Sequence, residues 1–226
     1  MKDLTNEKIL AAKEAVKWLT DGQIVGLGSG SSAYIAIREI GELVKEGLQI
    51  KGVPTSEKTR ELAESLNIPL LKIEEVDAID ITIDGADEFT TDLHLIKGGG
   101  SFLLKEKVVA SLSASQIIIT DSSKKVDLLG KFTVPVEVIP YARNYVMAQL
   151  KKINGIGRIR LVDDKPLVTE QGNYLLDTDF GLIADPASLA GQLDGIVGVV
   201  EHGLFINVAT RVIMGVGDAI ETFTRP

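Results

Sequence analysis

The stretch Ile24-Val25-Gly26-Leu27-Gly28-Ser29-Gly30-Ser31-Ser32 reads as a short buried strand running into a loop of glycine and serine. A helix follows to about Glu46, with Ile40, Leu43 and Val44 facing inward. The next strand, residues 49–53, ends at Pro54-Thr55-Ser56, and Ser56 can cap a helix carrying Leu62 and Leu66. Residues 79–83 alternate strictly between apolar and polar and end at Asp84. Residues 93–97 read as one more strand and residues 102–113 as a helix. Ile117-Ile118-Ile119 is a continuous apolar strand ending at Asp121-Ser122-Ser123-Lys124. Upstream, residues 5–20 predict a helix with Ile9, Ala12, Val16 and Leu19 on one face, Trp18 packing, and Asp21-Gly22 as the stop. Strands alternating with helices predict an α/β fold: a doubly wound, mostly parallel sheet with helices on both faces. Ligands of such sheets bind outside the carboxyl ends of the strands. The Gly/Ser loop, Thr55-Ser56, Asp84 and Asp121-Ser122-Ser123-Lys124 all follow strand ends, so they are expected to converge on one rim.

After about Gly130 the texture changes. Residues 134–139 form a strand, Pro140 opens a helix carrying Ala142, Val146 and Leu150, and strands follow near 156–162 and 173–178. Asp185-Pro186 begins a short helix. That order suggests a small α+β domain, with residues 203–217 supplying two strands that return to the first sheet.

The 226 residues, 45% of them hydrophobic, can bury a sizeable core. There is no cysteine, which excludes disulfides and thiolate metal sites, and two histidines, His94 and His202, cannot make a three-histidine site. Both histidines are expected to be structural. A net charge of −8 with scattered lysines and arginines opposes nucleic acid and anionic membranes as partners. No apolar run spans a bilayer, and the polar, charged amino terminus is unlike a secretory signal, so a cytoplasmic location is expected.

Two further motifs carry chemistry. Asp84-Gly85-Ala86-Asp87 sets two carboxylates one short turn apart, and such a pair can hold unequal pKa values that leave one able to donate a proton. Lys97-Gly98-Gly99-Gly100 places a cation beside three glycines, whose backbone N–H groups can come close to an anion. The segment Gly28-Ser29-Gly30-Ser31-Ser32 is a second anion nest, at a helix amino end. It lacks the lysine of a nucleotide-triphosphate loop. It matches a dinucleotide fingerprint only in Gly28, Gly30 and Ala33, without the ribose-binding acid. Each motif has a plainer alternative: a tight strand–helix turn for 28–32, ordinary turn residues for Asp84 and Asp87, solvated charges for Lys97 and Lys124. Glu106, between Lys105 and Lys107, reads on its own as part of a solvated face.

Taken together, Asp84-Gly85-Ala86-Asp87, Lys97-Gly98-Gly99-Gly100, Glu106 and Asp121-Ser122-Ser123-Lys124 resemble, in order and spacing, the type A ribose-5-phosphate isomerases. The likeness extends over nearly the whole chain, including residues 26–32, Leu129-Gly130-Lys131-Phe132 and Pro135-Val136-Glu137-Val138-Ile139-Pro140. One departure is that Ser29 and Ser32 stand where the family usually has threonine. The resemblance implies interconversion of ribose 5-phosphate and ribulose 5-phosphate with neither metal nor organic cofactor. It implies Glu106 as the proton-transfer base, assisted by Asp84, Asp87 and Lys97. Ser29, Gly30, Ser31, Ser32, Asp84, Gly85, Ala86, Asp87, Lys97, Gly98, Gly99, Gly100 and Lys124 would contact substrate. The implied fold is a Rossmann-like catalytic domain, residues 1–129 plus 203–226, with an inserted ferredoxin-like α+β domain, residues 130–202, assembled as a homodimer or homotetramer. A sugar-phosphate sensor, a CoA transferase and a dinucleotide oxidoreductase are the rival classes. They would call respectively for a DNA-binding helix pair, a longer chain and a ribose acid, none of which is legible.

Overall fold

The computed structural model describes residues 4–225; residues 1–3 and 226, which the expected catalytic domain includes, lie outside the described residues. The first half of the chain runs α1 (Thr5–Ala15), β1 (Ile24–Leu27), α2 (Ser31–Lys45), β2 (Lys51–Pro54), α3 (Glu57–Ser65), β3 (Ile79–Asp84), β4 (Glu88–Phe89), β5 (Leu95–Ile96), α4 (Leu103–Leu112) and β6 (Ser113–Asp121). It continues with β7 (Val134–Val138), α5 (Arg143–Lys152), β8 (Ile156–Ile159), β9 (Leu161–Val162), β10 (Lys165–Pro166), β11 (Tyr174–Asp179), α6 (Pro186–Asp194), β12 (Val199–His202), β13 (Leu204–Phe205), β14 (Arg211–Val216) and β15 (Ala219–Thr224). Two compact units form. One comprises Met1–Ala86, Lys105–Lys125 and Asn207–Pro226, the other Asp87–Leu104 and Val126–Ile206.

The first unit holds a six-stranded sheet in the order β15-β14-β6-β3-β1-β2. Five strands are parallel, and β15 closes one edge antiparallel to β14. The chain goes from β1 outward to β2, then back across to β3 on the other side of β1. The sheet therefore has its switch point between β1 and β3, where an open α/β sheet binds ligands. Val25, Leu27, Ile81, Ile83, Ile117 and Ile119 form one apolar cluster with Ala11, Ala12 and Ala15 of α1 and Ala36, Ile37 and Ile40 of α2. Val53 and Ile79 form another with Val109 of α4. Gly26 is forced by this packing, because a Cβ there would lie 2.7 Å from Val109 Cγ1 and 1.9 Å from Thr82 Oγ1.

The expected first helix is shorter than its apolar period suggests. It ends at Ala15 and tightens into a 3-10 turn over Val16–Trp18. Trp18 does not pack inside as expected. It is half exposed, with the Arg211 guanidinium 4.0 Å over its ring, a stacking that an exposed indole favours.

The second unit carries an antiparallel sheet in the order β12-β7-β11-β8. With α5 and α6 this gives a βαββαβ sequence with its first strand beside its fourth and third, the split βαβ arrangement. Asp185 opens α6 as expected, its carboxylate accepting from Ser188 N–H at 2.9 Å ahead of Pro186. Residues 87–104 group with this unit, a division different from the expected 130–202. The reason is a long-range pairing: β5 pairs with β13, and β4 with β5, in a separate three-stranded sheet. Of the strands expected in 203–217, β14 joins the large sheet and β13 does not.

Candidate active site

In the first unit, the loop after β1 lies against the loops after β2 and β3. Gly28 approaches Asp84 so closely that a Cβ would fall 2.2 Å from its Oδ1 and 2.6 Å from its Cα. The Ser29 N–H donates to Asp84 Oδ1 at 3.1 Å, and the Gly85 N–H donates to the same oxygen at 2.7 Å. Asp84 is fully buried. Its carboxylate thus ties the end of β3 to the 28–32 loop.

The Ser29 side chain points inward rather than toward a ligand. Its Oγ sits 2.8 Å from Thr55 Oγ1, 2.7 Å from Ser56 Oγ and 3.0 Å from Thr59 Oγ1, a buried cluster of four hydroxyls. Ser56 also caps α3 by accepting from Thr59 N–H. Gly30, with φ of +95°, turns the chain into α2 with no side-chain cap at that helix start. The first-turn amides of a 15-residue helix, with the hydroxyls of Ser31 and Ser32 beside them, therefore face the rim.

A cation that the sequence reading passed over stands here. Lys8 Nζ donates to Ser31 Oγ at 3.1 Å and lies 3.8 Å from Asp121 Oδ2 at the end of β6. The buried Glu7 beside it accepts from Ser122 N–H at 2.8 Å and from Gly217 N–H at 2.9 Å. Two adjacent residues of α1 thus fix loops that follow β6 and β14. Lys124 closes the 3-10 turn Ser122–Lys124 and is half-buried. The signal for Lys8 was present in principle, since it lies on the first helix of a chain whose other cations are scattered.

Glu106 lies in the first turn of α4 and is buried, although Lys105 and Lys107 flank it. A carboxylate in a first turn sits at the positive end of the helix dipole.

The second unit holds the other nest. Lys97 is almost wholly buried, its Nζ 5.5 Å from the centroid of the Phe205 ring and its N–H donating to Gly203 O at 2.9 Å. Asp87, half-buried, accepts from Gly99 N–H at 2.8 Å. A Cβ on Gly99 would lie 2.6 Å from Asp87 Oδ1, and one on Gly98 2.9 Å from Leu103, at a φ of +98°. Behind the loop, Arg160 Nη1 donates to Gly98 O at 2.9 Å, to Gly99 O at 3.1 Å and to Ser101 Oγ at 2.9 Å. Its Nε and Nη2 grip Asp177, the former at 3.0 Å. Arg160 is the second cation the sequence did not announce.

His202, with Asp194 and Glu201, forms a cluster whose ligand atoms lie within 4.8 Å. His202 Nδ1 accepts from Leu204 N–H at 3.2 Å, so a neutral ring carries its proton on Nε2, which faces Asp194 Oδ1 at 3.1 Å. That tautomer makes a hydrogen bond to the carboxylate and offers no lone pair to a metal.

Each unit thus carries one loop of small residues held by an aspartate on a backbone N–H, and α4 carries a buried carboxylate. The fold defines the class: an α/β protein of the doubly wound kind, with Asp84 and the 28–32 loop at the switch point of its large sheet. The family model described as ribose 5-phosphate isomerase A (phosphoriboisomerase A) matches residues 51–219. A ribose-5-phosphate isomerase A of Streptococcus pyogenes serotype M5 is 44% identical over 220 residues, 97% of either chain. Ribose-5-phosphate isomerase A 1 of Oceanobacillus iheyensis is 43% identical over 221 residues, 97% of this chain and 99% of that one. A solved D-ribose-5-phosphate isomerase in complex with phospho-erythronic acid superposes with a TM-score of 0.96 at 38% identity, covering 99% of this chain and 100% of the other. The enzyme of Methanocaldococcus jannaschii superposes at 0.92 with 40% identity, covering 96% and 98%.

The chain belongs to the ribose 5-phosphate isomerase A family. It is an isomerase that interconverts ribose 5-phosphate and ribulose 5-phosphate.

Proposed function

We propose that this chain moves a proton between C2 and C1 of an open-chain pentose phosphate through a cis-enediolate, with Glu106 as the base. The burial of Glu106 between two lysines carries the reading, because a merely solvated charge would have no reason to be enclosed there. Glu106 takes the C2 proton of the aldose and returns it at C1, a contribution on the order of 10²–10⁴-fold. Charge developing on the substrate oxygens is met by Lys97 and by amides of the 97–100 loop; one such donor is worth about 3 kcal/mol of barrier.

The phosphate is assigned to the start of α2, where Lys8 stands beside the amides of Ser31 and Ser32, with Lys124 as a second cation for it. The close packing of Lys8 on Ser31 supports this choice over the glycine nest. Ring opening falls to the Asp84/Asp87 pair. The half-buried Asp87 is the proton carrier, and the enclosed Asp84 sets the Gly28–Ser29 turn. Gly85, Ala86, Gly98, Gly99 and Gly100 contribute backbone, and Ser29 acts through its N–H and its hydroxyl cluster. The solved relative holding phospho-erythronic acid, a phosphorylated sugar acid one carbon shorter than the pentose, supports a sugar-phosphate ligand here. The working form is a homodimer or homotetramer in the cytoplasm, a reading that rests on the family likeness. Among the described residues no helix is long and apolar enough to cross a membrane.

The test is Glu106→Gln, assayed for ribulose 5-phosphate formation and for binding of phospho-erythronic acid. Turnover lost with binding kept supports the base; near-normal turnover removes it.

A further inference from the structure

We infer that Arg160, oriented by Asp177, is a positioning residue for this reaction: it turns the Gly100 N–H toward the substrate. The inference rests on the proposed role of the 97–100 loop.

A trans peptide is planar, so its C=O and the following N–H point in opposite directions. Arg160 holds Gly98 O at 2.9 Å and Gly99 O at 3.1 Å. The N–H groups of the same two peptide planes, those of Gly99 and Gly100, must then point away from the guanidinium. The Gly99 N–H is taken by Asp87 at 2.8 Å. That leaves the Gly100 N–H as the donor this clamp aims outward, and Gly100 lies on the exposed side of the loop.

Such a clamp is needed because three successive glycines have no preferred conformation of their own. The loop also turns through Gly98 at φ +98° and ends on one unfavourable angle, the non-glycine Ser101 at φ +75°. Arg160 contacts both ends of that strained segment, since its Nη1 also meets Ser101 Oγ. The arginine itself is fixed. Its N–H donates to Leu175 O at 2.8 Å, its C=O accepts from Leu167 N–H at 2.9 Å, and Asp177 binds Nε and Nη2 side by side. Lysine cannot reproduce this, because only a planar fork can address a carboxylate and two carbonyls on opposite edges. The side chain is 13% exposed, so the clamp is largely shielded from water.

The test compares Arg160→Lys and Asp177→Asn with the unaltered enzyme. Misplacing an aimed donor by about 1 Å costs on the order of 100-fold in rate, so kcat is expected to fall by about 10–100-fold in Arg160→Lys and by less in Asp177→Asn. KM, thermal stability and competitive inhibition by inorganic phosphate are expected to stay near their original values, because the phosphate loop belongs to the other unit. Amide hydrogen exchange in the peptide covering residues 97–102 is expected to quicken at Gly99 and Ser101 and not elsewhere in the sheet. Loop exchange that quickens with kcat unchanged overturns the inference, as does a loss of kcat accompanied by general loss of stability or of phosphate inhibition. Glu106→Gln, assayed in parallel, separates the two readings. If it is inactive while Arg160→Lys keeps full kcat, the positioning role alone has failed. If it is active, the base assignment has failed, whatever Arg160 does.

Discussion

The loops at 28–32 and 97–100 look alike in sequence, small residues after a strand, yet they are held by different physics. Both have an aspartate on a backbone N–H: Asp84 on Ser29, and Asp87 on Gly99. Beyond that they diverge. The first loop is supported by neutral hydroxyls, the Ser29, Thr55, Ser56 and Thr59 cluster, and continues into a 15-residue helix whose first-turn amides we propose for the phosphate. The second is separated from α4 by Ser101 and Phe102, so its own amides are not first-turn amides of that helix. Its carbonyls are held by a charged side chain that is itself held by a carboxylate. A permanent anion such as phosphate is suited by a long helix start, which is fixed by the ladder of the helix itself. A charge that exists only in passing is better met by a few donors aimed and locked in advance.

The comparison can be broken most severely at the chemistry. Glu106→Gln is expected to lower kcat by on the order of 10²–10⁴-fold with little change in KM, read by steady-state assay. Lys97→Met should follow, with a loss of about 3 kcal/mol of barrier, on the order of 100-fold in kcat; a change confined to KM would move Lys97 to uniform binding. Gly28→Ala and Gly100→Ala sharpen the contrast between the loops. The Cβ at Gly28 would meet Asp84 backbone at 2.6 Å, whereas at Gly100 the nearest atom is Phe102 at 3.4 Å. The first is expected to cost about 1–3 kcal/mol of stability by overpacking and the second to leave melting unchanged, both checked by thermal denaturation.

Ser29→Ala is expected to cost about 1–3 kcal/mol in stability, because buried hydroxyls lose a shared partner, with KM almost unaffected. A large rise in KM with stability intact would instead make the Ser29 hydroxyl a ligand contact. The smallest effect is expected at Glu57, fully exposed, whose carboxyl is held below the ordinary value by its hydrogen bond to Arg60. A carboxylate with a lowered folded-state pKa adds stability above its unfolded pKa and loses it as pH falls through the folded one. Glu57→Gln should therefore lower melting slightly at neutral pH, leave it unchanged in acid, and so flatten the decline between the two.

Strand ends and glycine loops were legible in the sequence because period-two alternation, Gly and Asp are local signals, and the large sheet follows from them. What escaped depends on partners far along the chain. Arg160 touches residues 59 to 62 positions away, so nothing near it in sequence marks it. Alternating charge around Glu106 suggests a solvated face, and only the packing of α4 buries the middle charge. The inward turn of Ser29 needs Thr55 and Thr59, which belong to another strand end and helix. The grouping of residues 87–104 with the second unit follows from a pairing with β13 more than a hundred residues on.

The proposal on which the rest depends is that Glu106 is the base of a site whose phosphate end is the start of α2. A crystal structure of this chain with phospho-erythronic acid tests it most directly. The account predicts the phosphate on the amides of Ser31 and Ser32 with Lys8, and the carboxylate on Lys97 and the Gly100 N–H with Glu106 beside the adjoining carbon. A phosphate seated in the glycine nest, or Glu106 out of reach of the ligand's carbons, would contradict it.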